Sequence, residues 1–162
     1  MDNDKQIRKY LLWILDGGDA HMNFDSILKD FPMNQINVVF PGSTYSFWGA
    51  LEHVRRTQED IIDFIENPKY KERKWPEDYW PRKEILASAS DWNKTIKKYK
   101  QDLEILKKII TNPQTNLYEK IPHGSGQTVF REILLIVDHT SYQLGELATM
   151  RRVFGHWDIT HE

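Results

Sequence analysis

The chain contains no cysteine. Disulfides, thiolate metal ligands and a cysteine nucleophile are therefore excluded, and the composition agrees with a reducing compartment. Basic charge is not in excess either: Lys and Arg total 22 against 24 Asp and Glu, for a formal charge of -2. Nothing in that balance steers the chain towards nucleic acid or an anionic lipid surface, and neither is expected as a partner. Long apolar runs are also missing. The stretch MDNDKQIRKYLLWILDGGDA is too short and too broken by charge for a signal peptide or a membrane span, so a soluble, cytoplasmic protein is expected. No Gly-rich phosphate loop is present, because HGSGQT at 123–128 lacks the Lys and the preceding strand of a P-loop. Ser125 does not stand on a G-x-S-x-G elbow, which removes the usual serine-hydrolase signature.

What the sequence does have is helical periodicity and many rings. Its 162 residues suit a single domain, 1–162, and include six Trp, seven Tyr and seven Phe, side chains that bury large areas and often line pockets. A first helix is expected over 5–15, interrupted by Gly17-Gly18, with Asp19 as the N-cap of a continuation to about residue 29. Pro41-Gly42 marks a connection, after which Ser43 or Thr44 caps a second helix that stops at Asn67, before Pro68. Its apolar stripe is Phe47, Leu51, Val54, Ile61, Ile62 and Ile65. Residues 68–81, PKYKERKWPEDYWP, form a long crossover too aromatic for a disordered linker. A third helix is expected over 82–111, with Ile85, Leu86, Ala89, Trp92, Ile96, Tyr99, Leu103 and Leu106 as its stripe. A turn-rich connection leads to the last helix, 128–154, which Gly155 ends. Four helical segments joined by an aromatic crossover make this an all-α chain, a four-helix bundle.

The last helix is apolar on two sides. Leu135, Ile136, Tyr142, Leu147, Met150, Val153 and Phe154 surround one face, and Ile133, Leu134, Val137, Leu144 and Ala148 lie roughly opposite. Two readings of the second face stand side by side: it meets a partner subunit in a homodimer, or the first helix and its extension cover it.

Polar residues interrupt the first face. Glu132, His139, Gln143 and Glu146 recur at helical spacing, and burying such groups without partners costs on the order of several kcal/mol. They imply a polar cavity or a bound ion. His53 stands in the second helix, with Thr57 and Asp60 following on its side, and a bundle brings such a residue across from His139. A single His on a helix is more often a hydrogen-bonded structural residue, and an amide oxygen such as that of Gln143 is a poor ligand for zinc or nickel. His156 and His161 are expected to be exposed.

Four stretches carry a family resemblance. YSFWGALEHVRRTQEDIIDFI resembles the Trp-x(4)-His segment of the DinB/YfiT-like superfamily, and DHTSYQLGELATMRRVFGHW resembles that family's closing motif. GGDAHMNFDSIL and WPEDYWP also resemble members of one DinB-like branch. The resemblance implies an up-down-down-up bundle, frequent homodimers and a divalent metal, Zn or Ni, held by three histidines. Carried onto this sequence, the first two ligands fall on His53 and His139. The third falls on Gln143, where the chain departs from the pattern, and the Gln of the usual Gly-Gln pair is Glu146. Glu146 is a reserve oxygen ligand and His21 a second one.

Family members with known activity are thiol transferases or isomerases, and others are assigned as hydrolases. The resemblance thus implies a metal that lowers the pKa of a thiol or a water in front of a small-molecule substrate. Trp48, Thr57, Trp80 and Tyr142, with Trp75, are candidates to line the pocket. The alternative is a metal-free, small-molecule-binding or stress-related bundle whose polar centre is a hydrogen-bond network.

Overall fold

The computed structural model describes residues 3–17 and 19–157. These residues are all-helical, with α1 (Asn3–Leu15), the single-turn α2 (Phe24–Leu28), a 3₁₀ turn (Met33–Gln35), α3 (Phe47–Glu66), α4 (Ala89–Thr111) and α5 (Val129–Val153). The four long helices pack in a bundle-like arrangement, and no named strand occurs among the described residues. None of the helices described is long and apolar enough to cross a membrane.

Helices α2, α3, α4 and α5 each begin where a side chain satisfies one of their first free N–H groups. Thr128, expected as the first residue of the last helix, caps α5 by accepting from the Arg131 amide. The start of α3 differs: Ser46, rather than Ser43 or Thr44, accepts from the Gly49 amide. The start of α4 differs more. Ser88 and Asp91 form a reciprocal capping box, so the helix begins at Ala89 instead of Arg82. Ile85 and Leu86, expected in its buried stripe, are 50% and 75% exposed on the loop before it. The continuation expected over 19–29 shortens to α2 because Asn23, and not Asp19, supplies the cap. Gly155 does end α5, with a φ of +68° that a side chain would strain.

Pairwise contacts fix the helix directions. Arg8 of α1 bonds the carbonyl of Ile110 and, farther along α1's exit, Asp16 pairs with Lys107, so α1 and α4 run antiparallel. Glu52 meets Thr95 and Gln58 meets the Tyr99 carbonyl, so α3 and α4 run parallel. Tyr45, just before α3, meets Glu146, while His53 meets His139, so α3 and α5 run antiparallel. A parallel pair needs a long connection, and the 67–88 segment provides it.

The larger apolar cluster joins Phe47, Leu51 and Val54 of α3 to Trp92 and Tyr99 of α4, Leu144 and Leu147 of α5, and Phe24 and Ile27 of α2. A second cluster joins Leu11, Ile109, Ile110, Leu117 and Ile133. Together these explain the two apolar sides of α5: Ile133, Leu144 and Ala148 are buried within the chain by α1 and α2, while Leu134 remains 43% exposed. Arg151, 1% exposed, bonds the carbonyls of Ile27 and Lys29 and lies against Phe31 and Trp157, which fastens α2 to the end of α5. His156, expected to be exposed, is half-buried among Phe31, Phe47 and Phe154. His161 lies outside the described residues.

Candidate functional site

The crossover is held to one side of α3 by polar groups spaced along the helix. Asp60, 7% exposed, accepts from the Tyr79 hydroxyl at 2.6 Å and the Tyr70 hydroxyl at 3.1 Å, and pairs with Arg73 at 3.2 Å. One turn earlier, Arg56 donates to the Trp80 carbonyl at 3.1 Å. These anchors place Trp80 flat on the imidazole of His53, with ring centroids 3.8 Å apart and planes at 10°. Trp75 adds an edge contact at 6.0 Å. His53 is 3% exposed as a result.

The orientation of that imidazole is set by the crossover backbone. His53 Nδ1 lies 3.2 Å from the Tyr79 carbonyl, which can only accept, so Nδ1 carries the hydrogen and Nε2 offers a lone pair. That lone pair faces α5. His139 Nε2 stands 3.0 Å from His53 Nε2, and the two rings cross at 76°. Burial pushes the His53 imidazole down to about 4. The Tyr79 carbonyl opposes that shift, and His139 and Arg56 add to it. Burial likewise lowers His139, against the pull of Asp138 and Glu146. Both rings are therefore neutral near pH 7, the state in which an imidazole binds a metal.

Gln143 follows His139 by one turn, is 6% exposed, and its Oε1 has no hydrogen-bond partner. A buried carbonyl oxygen without a donor is costly and rare, so it marks a place where a ligand or ion can complete the structure. Two nitrogens bound at about 2.1 Å to one ion stand about 3.0 Å apart at right angles and about 3.4 Å apart at tetrahedral angles. The observed 3.0 Å between the two Nε2 atoms fits two adjacent corners of a six-coordinate ion. A carbonyl behind one imidazole is also the usual support of a metal-binding histidine. The two imidazoles thus fit two corners of a divalent ion, and the unpartnered Gln143 amide oxygen stands one turn beyond His139 on the same helix. No group of three His, Cys, Asp or Glu able to hold an ion occurs among the described residues.

The reserve ligands are otherwise engaged. Glu146 accepts from the Tyr45 hydroxyl at 2.7 Å, and burial with that carboxylate beside it pushes the Tyr45 phenol up to about 12. His21 is exposed and contacts the Ser141 hydroxyl at 3.2 Å and the Met22 carbonyl at 2.9 Å, rather than the histidine pair. Of the pocket candidates, Trp80 stacks on both His53 and Tyr45, and Thr57 has a buried hydroxyl without a partner. Trp48 is buried and donates from Nε1 to Thr95, away from the pair, while Tyr142 is 65% exposed beside Glu146. Sequence reasoning missed Tyr45 and Tyr79. Neither has a periodic signal, since one precedes its helix and the other acts through a backbone carbonyl.

The chain matches no protein-family model, no curated protein and no solved structure.

Proposed function

We propose that the chain is a DinB/YfiT-like up-down-down-up bundle that binds a divalent metal, Zn or Ni, through His53 and His139, with the Gln143 amide oxygen in the third position. On this reading it is a small-molecule enzyme of the thiol-transferase or hydrolase type. The observation that carries the reading is the pair of neutral imidazoles meeting at 3.0 Å, one turn from a buried amide oxygen that lacks a donor. The antiparallel α1–α4, parallel α3–α4 and antiparallel α3–α5 pairings support the bundle topology. A divalent ion in such a site supplies Lewis acidity, which lowers the pKa of a thiol or a water. The chain's own residues hold the donors for it. The Tyr79 carbonyl fixes the His53 tautomer, Trp80 excludes water from its face, and Tyr45 keeps the Glu146 carboxylate beside His139.

Elemental analysis of untagged protein purified without chelator tests this reading. The expected outcome is near-stoichiometric divalent metal, together with a melting temperature that rises when Zn²⁺ or Ni²⁺ is added to stripped protein. Metal-free protein whose melting point ignores both ions would instead support the second reading, a metal-free bundle that binds a small molecule. There His139 donates from Nε2 to His53 Nε2, and the polar centre stands without an ion. A homodimer belongs to the same proposal. Tyr10, Trp13 and Ile14 of α1 and Leu134 of α5 leave apolar surface for a second copy to cover, and light scattering at micromolar concentration should then give twice the chain mass.

A further inference from the structure

A separate cavity of about 570 Å³ lies beside the histidine pair, between the 37–49 segment and the end of the crossover. Its size falls within the range of small-molecule sites. Tyr45, Trp48, Trp80, Pro76 and Pro81 contribute flat, rigid surfaces to its walls. Two clamps hold those walls together. Asn37 donates to the Ala87 carbonyl at 2.9 Å and accepts from the Ala87 amide at 2.8 Å, and Arg56 holds the Trp80 carbonyl. The cavity is therefore preformed, and its main wall groups have already spent their hydrogen bonds. Trp48 Nε1 is bound to Thr95, the Tyr45 hydroxyl to Glu146, and both ends of the Asn37 amide to Ala87. Such walls ask for an apolar body.

The rim asks for something else. Val39, Ile85 and Leu86 form an apolar lip, at 50%, 50% and 75% exposure, and Leu86 is the most exposed large hydrophobic side chain described. Arg82 and Lys83 line the same mouth. Neither side chain makes an ion pair or hydrogen bond with the described residues, whereas Arg55, which lines a different groove, is paired with Glu52 and Glu59. No Asp or Glu lines the cavity. An apolar, ring-walled chamber closed by two free cations has the charge and shape of a receptor for an anionic aromatic molecule.

We propose that this cavity binds an aromatic monocarboxylate, with its rings against Trp48, Pro76 and Pro81 beside the stacked Tyr45–Trp80 pair, and its carboxylate at Arg82 and Lys83. The inference does not rest on metal at the histidine pair, since no histidine lines the cavity. Calorimetric titration of the full chain with 2-naphthoate, near neutral pH and at low salt, tests it, with uncharged 2-naphthol as the comparison. Naphthoate should bind saturably at one site and more tightly than naphthol. The double variant Arg82→Gln/Lys83→Gln, both exposed positions, should weaken naphthoate by roughly tenfold and leave naphthol unchanged. No saturable heat with naphthoate up to about 2 mM, or equal naphthoate affinity in the double variant, would overturn the proposal.

Discussion

Glu52 and His53 are neighbours on α3, both nearly fully buried, yet their surroundings differ in kind. Glu52 turns towards α4, where its carboxylate receives Arg55 at 2.8 and 2.9 Å, Arg56 at 2.9 Å and the Thr95 hydroxyl at 2.8 Å. Thr95 in turn accepts from Trp48 at 3.2 Å, so the cluster is closed. Burial alone would raise the Glu52 carboxyl, but the two guanidinium groups and Thr95 hold it below the usual carboxylate range. His53 turns towards α5, where the cluster is open: two neutral imidazoles share one contact, and the Gln143 oxygen one turn on has no donor. A closed polar cluster fixes a helix pair, whereas an open one is ready for a ligand.

Three experiments test the contrast between the closed and the open cluster. The largest effect is expected on the closed side. Glu52→Ala removes the acceptor shared by Arg55, Arg56 and Thr95, leaving Arg55 with Glu59 and Arg56 with the Trp80 carbonyl, so urea unfolding should show a loss of about 3 kcal/mol. A loss below about 1 kcal/mol would mean that the cluster is a solvated surface feature. Next comes the anchor shared by the crossover and the open side. Asp60→Ala leaves the Tyr79 and Tyr70 hydroxyls without their acceptor, while Arg73 retains Glu59, and should cost about 2 kcal/mol. It should also speed proteolytic cleavage within 68–81, because the segment that carries Trp80 and the Tyr79 carbonyl loses its tether.

A third experiment separates the two clusters by pH. The folded His53 pKa, about 4, lies below its unfolded value of 6.5, so the unfolded chain takes up the proton first. Stability of the metal-free protein should therefore fall as pH drops from 6.5 towards 4, and His53→Phe should flatten that part of the profile. The Glu52 contribution has the other signature. Its folded pKa lies below 4.5, so its stabilisation is complete above that value and disappears only as pH falls further. Denaturant midpoints measured across both windows distinguish the two. Identical profiles for wild type and His53→Phe between pH 6.5 and 4 would show that His53 is not held neutral by burial.

Much of the scaffold was legible in the sequence because single residues dictate helix ends. Thr128 and Gly155 bound α5 as expected, and Pro68 and Pro113 stop α3 and α4 one residue after their C-caps. The start of α4 was misread because Ile85 and Leu86 continue the helical spacing of the stripe. The capping box at Ser88 and Asp91 outweighs that periodicity, and its Ser-x-x-Asp pattern was available to be read. The site divides in the same way. His53, His139 and Gln143 are found by spacing on two helices, which is a local property. The Tyr79 carbonyl, the Tyr45–Glu146 bond and the Trp80 stack depend on where a crossover without periodicity lies down, and that is decided by Asp60 and Arg56 acting across sequence gaps. The apolar second side of α5 was visible too, and of its two readings, cover by the first helix and its extension is the one that holds for Ile133, Leu144 and Ala148.

If the open cluster is the proposed metal site short of one strong donor, a calorimetric zinc titration of stripped wild type beside Gln143→His reads it out. One weak site is expected in wild type, and at least about tenfold tighter binding when the imidazole is supplied. Equal affinities, or no binding by either protein, would contradict it.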